Sequence, residues 1–231
     1  MAGISYTKAF SRLFYPVHCA SCGEALMDRE NQICTLCLLS MPVTGYHQAK
    51  KNPLEDLLKL RLRVDFISAF LRYDQGLSTQ HILHAIKYKG QKLLAEYLGQ
   101  LYGAEIRHCF SPPLDYVIPV PLHKRKLRER GYNQSEYWAK GLAQSLSIQL
   151  NTHSLVRVQY TTTQTKKSRT ERVQNVEKAF RVLAPERLKG KNILLVDDVI
   201  TTGATLEACG QVLWEAGIRS LSMVAIAHAG D

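Results

Sequence analysis

Apolar residues along this 231-residue chain fall into two rhythms. Short apolar-rich runs stand at 66–73 (FISAFLRY), 116–121 (YVIPVP), 193–196 (ILLV) and 220–227 (SLSMVAIA). Runs this short read as strands. The unbroken one at 193–196, with helical patterns on both sides, reads as a buried parallel strand. Between them, apolar residues recur three and four apart. This holds at 81–88, at 92–106 (Leu93, Leu94, Tyr97, Leu98, Leu101), on a face of Trp138, Leu142 and Leu146, and on a face of Leu206, Cys209, Leu213 and Trp214. That spacing predicts helices. Residues 42–65 read as a linker running into a helix, with Asn52 as N-cap and Pro53 at the first helical position. Asp74-Gln75-Gly76 is expected to turn, and Phe10, Leu13, Phe14 and Tyr15 ahead of Pro16 predict a short helix within 1–18. The chain is therefore read as α/β.

The stretch 193–205, ILLVDDVITTGAT, orders a strand, an acidic pair, a small-residue turn and a helix. Asp197 and Asp198 stand where the strand is expected to end, which is where open α/β sheets bind ligands. The helix that follows begins with unpaired N–H groups and partial positive charge, and these attract phosphate. Thr201, Thr202 and Thr205 add hydroxyl donors, and Gly203 lets the backbone approach closely. Carboxylates suit sugar hydroxyls instead, or magnesium through oxygen ligands. A ligand with a phosphate at one end and sugar hydroxyls in the middle satisfies both halves. No Gly-Lys-Ser/Thr follows the turn, so this is not a Walker loop. The plainer alternative is a buried strand ahead of a helix with an acidic N-cap region.

These thirteen residues resemble the signature of type I phosphoribosyltransferases, which bind 5-phosphoribosyl-1-pyrophosphate (PRPP). The resemblance implies that Asp197 and Asp198 hold the ribose hydroxyls at the catalytic centre. It implies that Thr201, Thr202, Gly203, Ala204 and Thr205 hold the 5′-phosphate, and that Mg²⁺ accompanies PRPP.

Composition narrows the partners. Hydrophobic residues make up 45% of the chain, yet no run approaches the ~20 apolar residues of a membrane span. The N-terminus lacks a long apolar core with a small-residue cleavage site, so a cytoplasmic location is expected. The formal charge of +10 and pI near 9.4 favour polyanions such as pyrophosphate, nucleotide or nucleic acid. Four of the six cysteines form two CxxC pairs, Cys19/Cys22 and Cys34/Cys37. This pattern suits tetrahedral zinc with four thiolates, with Gly23 at a turn that admits positive φ. Redox-active or incidental cysteines are the alternative. A segment this small needs metal to fold, so a structural role leads, with a nucleic-acid or partner contact second. His18 and His47 nearby read as bystanders. His81 and His84 read as solvated or capping rather than as a metal pair.

Directly after the 116–121 strand comes the basic run 122–134, LHKRKLRERGYNQ. It reads as a loop at the carboxyl end of a sheet strand, where fixed cations meet a diphosphate with charge-assisted hydrogen bonds. A solvated surface loop is the alternative. By the same resemblance it is the pyrophosphate loop, with Lys124, Arg125 and Arg128 as candidate contacts. The polar run 157–178 has neither Gly nor Pro. It reads as a mobile loop that closes over ligand, with Gln164, Arg169 and Arg172 as candidates, or else as an exposed insertion.

Taken together, the CxxC pairs, HAIKYKGQKLLAEYLGQ at 84–100, VIPVPLHKRKLRERGYNQ at 117–134, TTTQ at 161–164, Arg172, Asn175 and Phe180, and the 193–205 signature resemble the ComF family of competence-related proteins. The resemblance implies a small N-terminal helix and zinc ribbon over 1–50. A type I phosphoribosyltransferase-like parallel sheet flanked by helices would then cover 51–231. It also implies cytoplasmic handling of single-stranded DNA during natural transformation, with DNA-uptake proteins as partners. The alternative is an active phosphoribosyltransferase of nucleotide metabolism or salvage, which passes the ribose of PRPP to a nitrogen acceptor. Tyr132, Tyr137 and Trp138 are compatible with DNA contact or with the core.

Overall fold

The computed structural model describes residues 16–73, 77–158 and 179–230. Most of the expected N-terminal helix, the 74–76 turn and the loop candidates Gln164, Arg169 and Arg172 lie outside them. The helices are α1 (Thr35–Leu39), α2 (Pro53–Leu58), α3 (Leu77–Tyr88), α4 (Lys92–Ile106), α5 (Lys124–Arg130), α6 (Gln134–Leu146) and α7 (Ala204–Glu215). The strands are β1 (Phe66–Arg72), β2 (Tyr116–Pro119), β3 (Gln149–Leu150), β4 (Leu155–Arg157), β5 (Phe180–Val182), β6 (Asn192–Ile200) and β7 (Ser220–His228).

Five strands form one parallel sheet in the order β1–β7–β6–β2–β3. Strands β4 and β5 pair antiparallel apart from it. Side chains alternate across each strand, and the core divides accordingly. Leu194, Val196, Val224 and Ile226 pack with residues of α3, α4 and α6 on one face. Ile193, Leu195, Leu221 and Met223 pack with residues of α2 and α7 on the other. Both faces are covered, which is why the central strands read as nearly unbroken apolar runs.

Asn52 caps α2 as expected, its Oδ1 accepting from the Leu54 N–H at 3.0 Å. Helices α4 and α6 cross at glycines. A β-carbon on Gly99 would strike the Trp138 carbonyl, and one on Gly141 the Glu96 carbonyl. Only glycine allows that approach, and it seats the N-terminus of α6 against the sheet.

Two expectations are corrected. Strand β6 does not end at the acidic pair. It stays in register with β7 through Asp197↔Ala225 to Ile200↔His228. Its other neighbour stops earlier, since β2 pairs only as far as Pro119↔Val196, followed by one bond from Val120 N–H to Val196 O. Proline residues cannot extend a ladder, so a crevice opens beside Asp197 and Asp198 from inside the strand rather than at its tip. The basic run is likewise not a loop throughout, because Lys124–Arg130 is helix α5. Its residues are good helix formers. His123 caps it by accepting the Arg125 N–H at 3.1 Å, and Gly131 closes it at φ +77°.

Candidate functional site

The crevice holds the acidic pair, with the carboxylates turned to different partners. Asp198 Oδ2 lies 3.0 Å from Lys87 Nζ of α3. Asp197 Oδ1 accepts from Ser135 Oγ at 3.1 Å and from the Asp198 N–H at 2.8 Å. Burial, then the neighbouring Asp198 charge, pushes the Asp197 carboxyl up to about 7, against the hydrogen bonds and Lys87 that favour its ionised form. Ser135 is placed by its neighbour. Asn133 Oδ1 accepts the Ser135 N–H, and Asn133 Nδ2 donates to Val120 O at the end of β2. The NQS part of the basic run thus fastens α6 to the sheet and to the acidic pair.

A cavity of about 200 Å³ adjoins the pair. Lys87, Lys126, Arg130 and Arg157 bring four cations to its lining, and Gln134, Ser135 and Thr205 bring polar groups. A second cavity, of about 30 Å³, is formed by 199–206 with Asp197. Thr201, Thr202, Gly203, Ala204 and Thr205 all line this smaller cavity. Gly203 is the N-cap of α7 with φ +74°, and it rests against the Leu58 side chain. Asp197 and Thr205 border both cavities.

The basic candidates are placed differently from expectation. Lys124, Arg125 and Arg128 are exposed on α5 and are not among the residues lining either cavity. Arg125 pairs with Glu129 at 2.7 Å. Lys126 and Arg130, four apart on the same helix, face the cavity instead. A reading of the run as a loop has no period and so cannot choose among its cations. Lys87 and Arg157 were also missed, since α3 and β4 are distant in sequence from the acidic pair. His123 sits amid this charge. Burial, then Arg157, Lys126, Arg125 and Arg128, holds its pKa below the ordinary imidazole value, consistent with a neutral capping ring.

Aromatic candidates for DNA contact divide. Trp138 and Tyr132 are buried. The Tyr132 hydroxyl bonds to the Ile86 carbonyl. These two serve the core.

At the N-terminal end, the ligand atoms of Cys19, Cys22, Cys34 and Cys37 lie within 4.8 Å of one another. Cys22 Sγ and Cys34 Sγ are 3.8 Å apart. A tetrahedral centre with ~2.3 Å zinc–sulfur bonds spaces its sulfurs by about 3.8 Å, so the cluster fits a metal such as zinc. Ile33, Cys19 and Met41 pack into the same core as α3 and α4. His81 is not simply solvated, because its Nδ1 lies 3.1 Å from Ser21 O, joining α3 to the first knuckle.

The phosphoribosyl transferase domain family matches residues 133–230, which contain the acidic pair, the threonine turn and the Asn133–Ser135 fastening. With its doubly covered parallel sheet, the chain is a phosphoribosyltransferase-like α/β protein. Within that class its relatives over most of the chain are competence proteins, and its four-cysteine cluster fits the zinc ribbon expected of ComF-type proteins. Competence protein F of Haemophilus influenzae is 28% identical over 229 residues, covering 94% of this chain and 99% of that protein. DNA utilization protein YhgH of Shigella flexneri is 31% identical over 147 residues, and the match spans 62% of this chain and 63% of that relative's length. Among solved structures, glutamine PRPP amidotransferase from B. subtilis, complexed with ADP and GMP, is similar with a TM-score of 0.40 at 21% identity. That match covers 57% of this chain and 26% of the amidotransferase chain. No helix among the described residues is long and apolar enough to cross a membrane.

Proposed function

We propose that the protein binds PRPP with Mg²⁺, and that it acts in the cytoplasm in the handling of single-stranded DNA during natural transformation. The observation that carries the PRPP reading is an acidic pair of which Asp197 borders two unequal cavities and Asp198 lines the larger. The smaller, at the head of α7, suits a single phosphate. The larger, with its four cations, suits a diphosphate. Asp197 and Asp198 between them take the ribose diol.

In this reading Thr201, Thr202 and Thr205 donate to the 5′-phosphate, and Gly203 and Ala204 bring backbone close to it. Lys126, Arg130, Lys87 and Arg157 neutralise the diphosphate. Lys124, Arg125 and Arg128 contribute to the field from the outer face of α5. Positioning and charge stabilisation are what such residues supply to cleavage at the ribose C1. The paired carboxylates with a single close lysine fit a magnesium ion carried by the ligand's own oxygens. Among the described residues, only the cysteines form a group able to cage an ion. Bound Mg²⁺ neutralises diphosphate charge.

Zinc at Cys19, Cys22, Cys34 and Cys37 holds the N-terminal element, and this assignment rests on the four-thiol spacing. The DNA role is supported by the names of the relatives, competence and DNA utilization, and by the +10 charge. Calorimetric titration of PRPP and Mg²⁺ into the wild type and into Asp197→Asn/Asp198→Asn tests the PRPP reading. Saturable binding lost in the double variant is the expected result. Absence of binding to folded, zinc-loaded wild type overturns it. For DNA, single-strand affinity should fall steeply with salt.

A further inference from the structure

Gln134 is 1% exposed, lines the larger cavity, and leaves its Nε2 without a hydrogen-bond partner among the described residues. Its backbone is fixed on both sides. Asn133 caps α6 immediately before it and is tied to Val120 O, and Ser135 immediately after it is bonded to Asp197. A buried amide donor with no acceptor is costly, and an apolar side chain of the same shape is cheaper at such a position. The cost disappears when a ligand in the cavity offers an oxygen. With Lys87, Lys126, Arg130 and Arg157 lining the same space, the oxygen that enters is a phosphate oxygen.

We infer that Gln134 is a specificity residue of the larger cavity, donating its side-chain N–H to the diphosphate borne at the ribose C1. This rests on the PRPP reading above and deepens it. The four cations attract any phosphate at long range. A neutral donor at fixed depth rewards only a ligand whose phosphate reaches it. Gln134 lines the larger cavity and not the 199–206 cavity. It therefore discriminates PRPP from ribose 5-phosphate, which lacks the C1 diphosphate.

The test is titration of PRPP and of ribose 5-phosphate, both with Mg²⁺, into wild type and Gln134→Met, with a thermal melt of each protein without ligand. The expected result is about a tenfold loss of PRPP affinity in the variant, the worth of one hydrogen bond to a charged acceptor, with ribose 5-phosphate affinity unchanged. The ligand-free melting temperature should be equal or higher, because the unpaired donor is gone. A purely structural role for Gln134 predicts a lowered melting temperature and equal losses for both ligands, and that outcome overturns the inference. Equal PRPP affinity in variant and wild type also overturns it and leaves the PRPP reading standing. No PRPP binding by wild type overturns both. Should Gln134→Met fail to fold, Gln134→Ala is judged by the same two affinities.

Discussion

Lys87 Nζ stands 3.0 Å from Asp198 Oδ2, and both side chains are largely withdrawn from water. The contact joins α3 to the middle of β6, across 111 residues of sequence. It puts one cation beside two adjacent carboxylates, one of which is raised toward neutrality by burial and by its neighbour.

Lys87→Met should therefore weaken the site from two directions. The diphosphate loses a cation, and the acidic pair loses its counter-charge. PRPP affinity measured by calorimetry is expected to drop by about tenfold or more, the scale of a charge-assisted hydrogen bond. Zinc content measured by elemental analysis should stay at the wild-type value, because Lys87 is not in the cysteine cluster.

Asp197 sets a pH dependence whose sign follows from linkage. Its folded pKa of about 7 lies above the ordinary unfolded value of about 3.9. Between these values the folded state holds a proton that the unfolded state has released. This group therefore lowers stability as pH rises from about 4 to 7, and its effect is level above that. Binding of a ribose diol runs the other way, since the ionised carboxylate is the better acceptor. Melting temperatures at pH 5 and pH 8 should fall more steeply for wild type than for Asp197→Asn. PRPP affinity of wild type should rise over the same interval.

The cysteine cluster should contain one zinc per chain. Because Cys19, Ile33 and Met41 pack with the helices behind the sheet, Cys37→Ser should release the metal and lower the melting temperature of the whole protein. Loss of a structural zinc site removes several kcal/mol of folding energy, so a drop of about 10 °C or more is expected. Elemental analysis and a melt in the presence of chelator check both parts.

Gly141→Ala probes how the site is held from behind. The added β-carbon meets the Glu96 carbonyl, so α4 and α6 must part. A destabilisation of about 1–3 kcal/mol is expected from overpacking, measured by denaturant titration. PRPP affinity should fall as well, because α6 carries Gln134 and Ser135 into the cavity. Unchanged affinity would mean that the two residues are held by Asn133 alone.

Much of this protein is legible in local pattern. The order of strands β1, β2, β6 and β7 and of helices α3, α4, α6 and α7, the Asn52 cap, the Gly23 turn and the four-sulfur cluster each follow from residues close together in the chain. So does the threonine turn at the head of α7. Period, capping chemistry and CxxC spacing are local rules, and short-range sterics enforce them wherever the segment ends up. The boundary of β6 is not local. Its pairing beyond Asp197 depends on a long β7 on one side and a proline-ended β2 on the other. The cations of the larger cavity are not local either. Helical phase selects Lys126 and Arg130 from a run of similar charges, and Lys87 and Arg157 arrive from α3 and β4 only when the chain packs. The burial that raises Asp197 and isolates Gln134 is likewise a product of packing. Sequence by itself determined which chemical groups the protein carries and in what order. Tertiary structure alone decided which of them share one desolvated space, because distance and burial set the strength of charge and hydrogen bonding and neither is written along the chain.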